Sequence, residues 1–151
     1  MELAAGSFQS LALTAKGVLL SFGLGTEGQL GHGDTAYQRQ PKRVVLVKER
    51  VVGVAAGSNH SLALTAEGAL FSFGHNWYGQ LGHGDRAERV HQQQPKRVVV
   101  LSKERVVSVA AGSYHSLALM VEGALFSFGW GAEGQLRHAD RADQPQPKRA
   151  V

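Results

Sequence analysis

Apolar and polar residues alternate with a period of two in short runs along this chain, and turns containing glycine separate the runs. In residues 61–74, SLALTAEGALFSFG, Leu62 and Leu64 fall on one face and Ala63 and Thr65 on the other, with Ala66, Glu67 and Gly68 between this run and the next. That pattern predicts a β-hairpin whose glycine supplies the positive φ of the turn. Further on, PKRVVVLSKERVVSVAAGS predicts a second pair of strands: a valine-rich run at 98–101, a charged turn at 103–105, and a run at 106–111. Nowhere is there the 3.6-residue apolar spacing of a long helix, so the expected class is all-β.

The pattern recurs. AAGSFQSLALTAKGVLLSFG at 4–23, AAGSNHSLALTAEGALFSFG at 55–74 and AAGSYHSLALMVEGALFSFG at 110–129 are three copies of one unit. The glycine of AAGS stands at Gly6, Gly57 and Gly112, giving periods of 51 and 55 residues, and the extra length lies between Asp85 and Pro95, which marks a surface loop. The whole chain reads as one repeat domain, with repeat 1 at about 1–50, repeat 2 at about 51–105 and repeat 3 at about 106–151. Four strands in about fifty residues is the arithmetic of a β-propeller blade. Four antiparallel strands per blade and three blades per chain are therefore expected.

The run GSNHSLALTAEGALFSFGHNWYGQLGHGD followed by PKRVV resembles the regulator of chromosome condensation repeat, over essentially the whole chain. The resemblance implies a propeller, usually of seven blades, and roles that include nucleotide exchange on a small GTPase, chromatin binding, ultraviolet-B perception and adaptor work. It also implies that His60 and His115 are structural, bonding neighbouring backbone. Several positions depart from the pattern. Phe22, Phe73 and Phe128 stand where the family often has tryptophan. Copy one has Phe8 and Gln9 in place of the Asn59–His60 and Tyr114–His115 pairs. Copy three reads GQLRHAD, with Arg137 and Ala139 where copy two has Gly82 and Gly84, which is expected to loosen or re-aim that loop. Trp77 and Trp130 follow S-F-G, whereas photoreceptor-type tryptophans follow the glycine that here precedes Ser58 and Ser113, which argues against light sensing by that route.

Composition narrows the chemistry. There is no cysteine, so disulfides, thiolate metal sites and cysteine nucleophiles are excluded. No run approaches the ~18 apolar residues of a membrane span, and the first residues lack signal-peptide character, so a soluble intracellular protein, cytoplasmic or nuclear, is the expectation. Sixteen basic residues against twelve acidic give a formal charge of +4, much of the excess in PKR triplets. Such residues shield strand edges or attract acidic partners.

The candidate catalytic patterns dissolve on inspection. GLGTEG and GWGAEG satisfy G-x-G-x-x-G, but a dinucleotide turn needs a helix after the glycines, and here another loop follows. His32, His83 and His138 occupy equivalent loop positions, as do His60 and His115 at strand entries, so successive blades would hold them apart and no shared metal is expected; His75 and His91 lack counterparts. Ser58, His60 and Ser61, with Asp34, Asp85 or Asp140, have the residue types of a triad, yet a catalytic site is made once per fold and this motif is repeated. Glu49, Glu67, Glu104 and Glu122 sit in turns as solvated charges. No cofactor is expected.

The expected function is a noncatalytic scaffold that binds a protein partner through its loop face, using Trp77, Tyr78 and Trp130 with the adjoining basic residues Lys42, Arg43, Lys96 and Arg97. The alternatives are nucleotide exchange on a small GTPase, for which no loop is long enough to act as a wedge, and salt-sensitive binding of nucleic acid or nucleosomes through these basic residues with Lys148 and Arg149. Three blades cannot close a ring, so a two-fold homodimer of six blades is expected over an open three-blade unit or a fragment of a longer propeller. In that arrangement the two ends of the chain are complementary pieces of one blade, with Lys148, Arg149 and Val151 beside Leu3, Ala4 and Ala5 of the other copy.

Overall fold

The structure is a computed structural model that describes residues 1–46, 49–84, 91–103 and 105–150. Among these residues, twelve strands make three antiparallel sheets of four, each a simple meander. The first blade is β1 (Glu2–Ala5), β2 (Gln9–Leu13), β3 (Leu19–Gly23) and β4 (Gln38–Arg43). The second is β5 (Val51–Ala56), β6 (His60–Thr65), β7 (Leu70–Gly74) and β8 (Gln92–Arg97). β9 (Val106–Ala111), β10 (His115–Met120), β11 (Leu125–Gly129) and β12 (Gln144–Arg149) form the third. The propeller class and the hairpin at residues 61–74 are as expected, with Leu64 opposite Leu70 and Ala63 opposite Phe71.

The core lies between blades. Leu11, Leu13, Leu19 and Val44 of the first blade meet Val51, Val54, Ala63 and Phe73 of the second. Leu62, Leu64, Leu70, Val98 and Leu101 then meet Val106, Ala118, Met120 and Phe128 of the third. Each large apolar side chain buried here contributes roughly 1.5–3 kcal/mol. This arrangement explains the burial of equivalent strands: every residue of β6 is buried because it has a blade on either side, whereas β2 alternates buried and half-buried.

Two expectations are corrected. Residues 98–101 form no strand. Val98 donates its amide to Leu70 O at 2.9 Å, and Val99–Leu101 coil into a single 3₁₀ turn. Val98 and Leu101 are both buried while Val99 and Val100 are exposed, which is the three-residue spacing of a 3₁₀ turn in place of the two-residue spacing of a strand. The fourth strand is instead the polar run that ends in Lys-Arg, with Lys96 opposite Ser72 and Arg97 opposite Phe71.

The second correction follows from the first. Because each outer strand pairs back to the S-F-G strand before it, the two ends of the chain are edges of two complete blades and not complementary pieces of one. Leu3, Ala4 and Ala5 pair with β2 as the free edge of the first sheet, and Leu3 is 82% exposed. Lys148 and Arg149 pair with Ser127 and Phe126 as the opposite edge of the third; Val151 lies outside the described residues. A strand-to-strand seam between these ends would join an outer strand to an inner one, which occurs in none of the three sheets.

Packing of one blade on the next depends on the loop after its third strand. A side-chain carbon added at Gly31 or Gly82, both at positive φ, would lie 2.9 Å from the ring of Phe73 or Phe128 of the following blade. Only glycine fits such an approach. Arg137 takes this position in the third blade, with φ at 57°. Residues other than glycine pay about 1 kcal/mol or more to hold this backbone conformation. Arg137→Gly is therefore expected to raise stability by about 1 kcal/mol in urea denaturation, less the entropy that glycine adds to the unfolded chain. A loss of stability would mean that Arg137 makes contacts that outweigh its backbone.

Candidate partner-binding surface

The three long loops, β3–β4, β7–β8 and β11–β12, all leave the same end of their blades, and each is stiffened by its own side chains. In the second blade Gln80 Oε1 accepts the amide of Tyr78 at 3.0 Å, Ser72 Oγ donates to Leu81 O at 2.7 Å, and Leu81 is fully buried. Since the Ser72 proton is committed to that carbonyl, His83 Nε2, 3.0 Å from Ser72 Oγ, is the donor to it. Ser21 with His32 and Ser127 with His138 repeat the arrangement at 2.9 and 3.0 Å. The Gly-Gln-Leu-x-His motif is thus a loop-building device. Its histidines stay inside their own blades, and no group of His, Asp or Glu among the described residues has the geometry to hold a metal ion. The third loop is not loosened by Arg137 and Ala139: Arg137 N still donates to Gly134 O at 3.0 Å, and Ser127 Oγ to Leu136 O at 2.7 Å. After the G-x-G-x-x-G glycines the chain makes turns, with Gly28 N donating to Gly25 O, and no helix follows.

The other candidate catalytic residues are held apart. Ser61 Oγ donates to Gln29 O at 2.8 Å, across the first interblade seam, and His60 Nε2 lies 3.0 Å from Ser116 Oγ, across the second. Asp34 and Asp140 accept amides within their own loops, and Asp85 and Glu104 lie outside the described residues. The His60 imidazole, implied by the resemblance to bond neighbouring backbone, instead meets the Ser116 hydroxyl, and it packs against Gly57, where a side chain would collide with the ring.

What the loops do bring together is a set of rings. Tyr78 from the second loop, Trp130 from the third, and Tyr114 from the β9–β10 turn lie with centroids 5.2, 6.1 and 6.0 Å apart, in tilted and edge-on pairs. His75 joins them to Trp77, stacked at 6.3 Å, and to His91 at 5.7 Å. Burial and, secondarily, His91 hold the His75 imidazole below its ordinary pKa, against an opposing pull from Glu27. Glu27 itself, at the position that Tyr78 fills in the next loop, lies 2.9 Å from His91 Nδ1. Tyr114 is legible in the sequence only as a departure from the repeat; its contact with Tyr78 arises because the long loop of one blade leans over the next blade.

The basic residues are not part of this surface. Register places Gln38, Gln92 and Gln144 at the loop end of the outer strands, opposite Gly23, Gly74 and Gly129, and carries Lys42, Arg43, Lys96, Arg97, Lys148 and Arg149 towards the far end. Lys42 and Arg43 line a cleft of about 330 Å³ with His32 and Gln94. Burial first, and then the Lys42 charge, hold His32 below its ordinary pKa. The outer strands hold seven basic and no acidic residues. Residues 24–37, 75–91 and 130–143, which connect to them, hold seven acidic against four basic. By sequence the outer strands are net positive and the connecting segments net negative, and the two meet where Lys148 Nζ lies 3.8 Å from Asp140 Oδ2. No helix among the described residues is long and apolar enough to cross a membrane.

Comparison with known proteins agrees with this architecture. The ultraviolet-B receptor UVR8 of Arabidopsis thaliana is 37% identical over 147 residues, which is 97% of this chain and 33% of that protein. The human probable E3 ubiquitin-protein ligase HERC3 is 39% identical over 153 residues, 100% of this chain and 14% of the relative. The crystal structure of Prp20p from Saccharomyces cerevisiae superposes with a TM-score of 0.87 at 28% identity, over 99% of this chain and 38% of that one. This chain thus spans a third or less of the length of these curated relatives. The regulator of chromosome condensation (RCC1) repeat is matched at residues 16–64 and 67–119, and a second description of the repeat at 51–80 and 106–135. With three four-stranded blades, repeated loop chemistry and these matches in agreement, the chain belongs to the RCC1 repeat family.

Proposed function

We propose that this chain is a noncatalytic propeller scaffold whose loop end binds a protein partner. The observation that carries this reading is the connected ring surface of Trp77, Tyr78, Tyr114 and Trp130, because the fold does not require it. At the first seam the equivalent positions are Thr26, Glu27, Asn59 and His75, and the underlying leucines, Leu30 and Leu81, are equally buried. Rings that lie over a finished core and stay partly exposed have the character of interface anchors. The solved structures that share the fold at similar identity lend support: one is described with the binding of Prp20p to Gsp1p and histones, and another is Kap60 bound to yeast RCC1 (Prp20).

The basic rim favours a second reading, attraction to an acidic polymer, since seven cations on strands that hold no carboxylate make a field suited to phosphate, although one of them, Lys148, lies 3.8 Å from Asp140. It uses the outer strands and not the loop end. A photo-crosslinking amino acid placed at Trp77 and, separately, at the exposed Val121 in a turn at the opposite end distinguishes a loop-end partner from general adhesion. In lysate the loop-end probe is expected to give discrete adducts that the Val121 probe does not. Equal labelling from both positions, or none, would remove the proposal.

A further inference from the structure

The three copies diverge at the tip of the long loop and in the turn that faces it. Residues 24–28 read LGTEG, 75–79 read HNWYG and 130–134 read WGAEG, while the turn before them carries Phe8, Asn59 or Tyr114. The glutamine, leucine and histidine that build each loop are unchanged. Rings accumulate only at the variable positions around the second and third blades, and Trp77 remains 50% exposed.

The charge around those rings has a sign. Glu133 is exposed three residues from Trp130, and Asp143 Oδ1 accepts the amide of Gly131, the residue after Trp130, at 3.1 Å. The loop that carries Trp130 holds three carboxylates, Glu133, Asp140 and Asp143, against two arginines, Arg137 and Arg141. An aromatic face also presents negative charge density, and indole does so most strongly. A phosphate-bearing ligand would meet repulsion from both features, whereas a cation gains from both.

We propose that this surface receives an arginine or lysine side chain from an extended basic segment of a partner protein, with the cation over Trp130 and Tyr78 and Glu133 beside it. The inference rests on the loop end being the binding face and adds the chemistry of what binds. Tyr78 and Tyr114 set the width of the platform, since their rings lie 5.2 Å apart and tilted by 57°, so that a flat guanidinium stacks on one ring and meets the edge of the other.

The test uses the full chain and a fluorescein-labelled peptide of alternating glycine, serine and arginine, compared with the same peptide carrying citrulline, which keeps the shape of arginine and removes its charge. Anisotropy and tryptophan emission report binding. The arginine peptide is expected to bind at least ten-fold more tightly than the citrulline peptide. Trp130→Leu or Tyr78→Leu should weaken it about ten-fold, Glu133→Gln about three-fold, and Lys96→Gln with Arg97→Gln should not weaken it. Equal affinity for the two peptides would overturn the proposal on the unaltered protein, whatever the variants do. So would a single-stranded oligonucleotide whose binding is abolished by Trp130→Leu, which would assign the face to nucleic acid. A loop-end crosslink with no arginine preference would defeat this inference and leave the protein-binding reading standing; silence in both experiments would defeat both.

Discussion

Phe128→Ala is expected to destabilise the chain by about 3–5 kcal/mol, and Phe73→Ala by a similar amount, while Phe22→Ala costs about 1 kcal/mol or less. The three phenylalanines are equivalent in sequence and differ in what covers them. Phe73 and Phe128 are fully buried, each beneath the loop of the preceding blade, with Gly31 and Gly82 in close approach to the ring. Phe128 packs in the cluster formed by Leu62, Leu70, Val106 and Met120, and Phe73 in the cluster of Leu11, Leu19, Val44 and Val54. Removing either ring leaves a cavity that two rigid sheets cannot close, so a cavity cost adds to the lost transfer energy. No blade precedes Phe22 in the structure, and its ring is only half-buried. Since a domain's whole stability is about 5–15 kcal/mol, loss of the Phe128 ring should detach or unfold the third blade, and loss of the Phe73 ring the first. Urea denaturation followed by tryptophan emission measures all three, and Trp130 reports on the third blade directly. A cost for Phe22→Ala equal to that for Phe73→Ala would mean that the first blade's outward face is covered in solution, and would itself argue for association through that face.

That equivalence shows how much of the molecule could be read beforehand. The copies announce four strands each, and alternation at 61–65 places Leu62 and Leu64 correctly towards a core. The phase of the blade was less legible. The polar QQQPKR run and the valine run after it are contiguous, and alternation alone favours the valines as the strand. The polar run wins because it is an outer edge, solvated on most of its surface, where pairing needs backbone and not apolar side chains. The same ambiguity made the ends of the chain look like halves of one blade. At the candidate site, Trp77, Tyr78 and Trp130 are recognisable as rings in polar glycine loops. Their convergence with Tyr114 is not, because it joins residues 36 positions apart through the stacking of two blades. Sequence adjacency of loop and PKR triplet also misleads, since the outer strand carries the lysine and arginine away from the rings.

His60 governs the expected response to acid. It is fully buried, and its Nε2–H donates to Ser116 Oγ, whose own proton is committed to Gln80 O at 2.8 Å. Nδ1 has no hydrogen-bond partner, so a second proton would place an unpaired N–H and a charge in the interior. Burial, helped by the neighbouring imidazoles of His115 and His75, accordingly lowers its pKa from 6.5 to about 3. The unfolded chain takes up this proton below pH 6.5 and the folded chain does not until near pH 3, so the contribution to stability is intact above pH 6.5 and is lost as the pH falls between these values. One such proton costs about 1.4 kcal/mol per pH unit, or about 2 kcal/mol by pH 5. Burial also lowers the pKa of His32, His75, His115 and His138, which steepens the decline with the same sign. The first blade already contains a substitute that does not titrate: Gln9, at the equivalent position, is buried and donates through Nε2 to Gly57 O at 3.2 Å and His60 O at 3.1 Å across the first seam. His60→Gln is therefore expected to fold, to lie within about 1 kcal/mol of the parent at pH 7.5, and to exceed it in stability by pH 5. Urea midpoints measured from pH 7.5 to pH 4 decide the matter. Parallel curves for the two proteins across that range would mean that His60 is protonated in the folded state and that its burial is not what the acid limb reports.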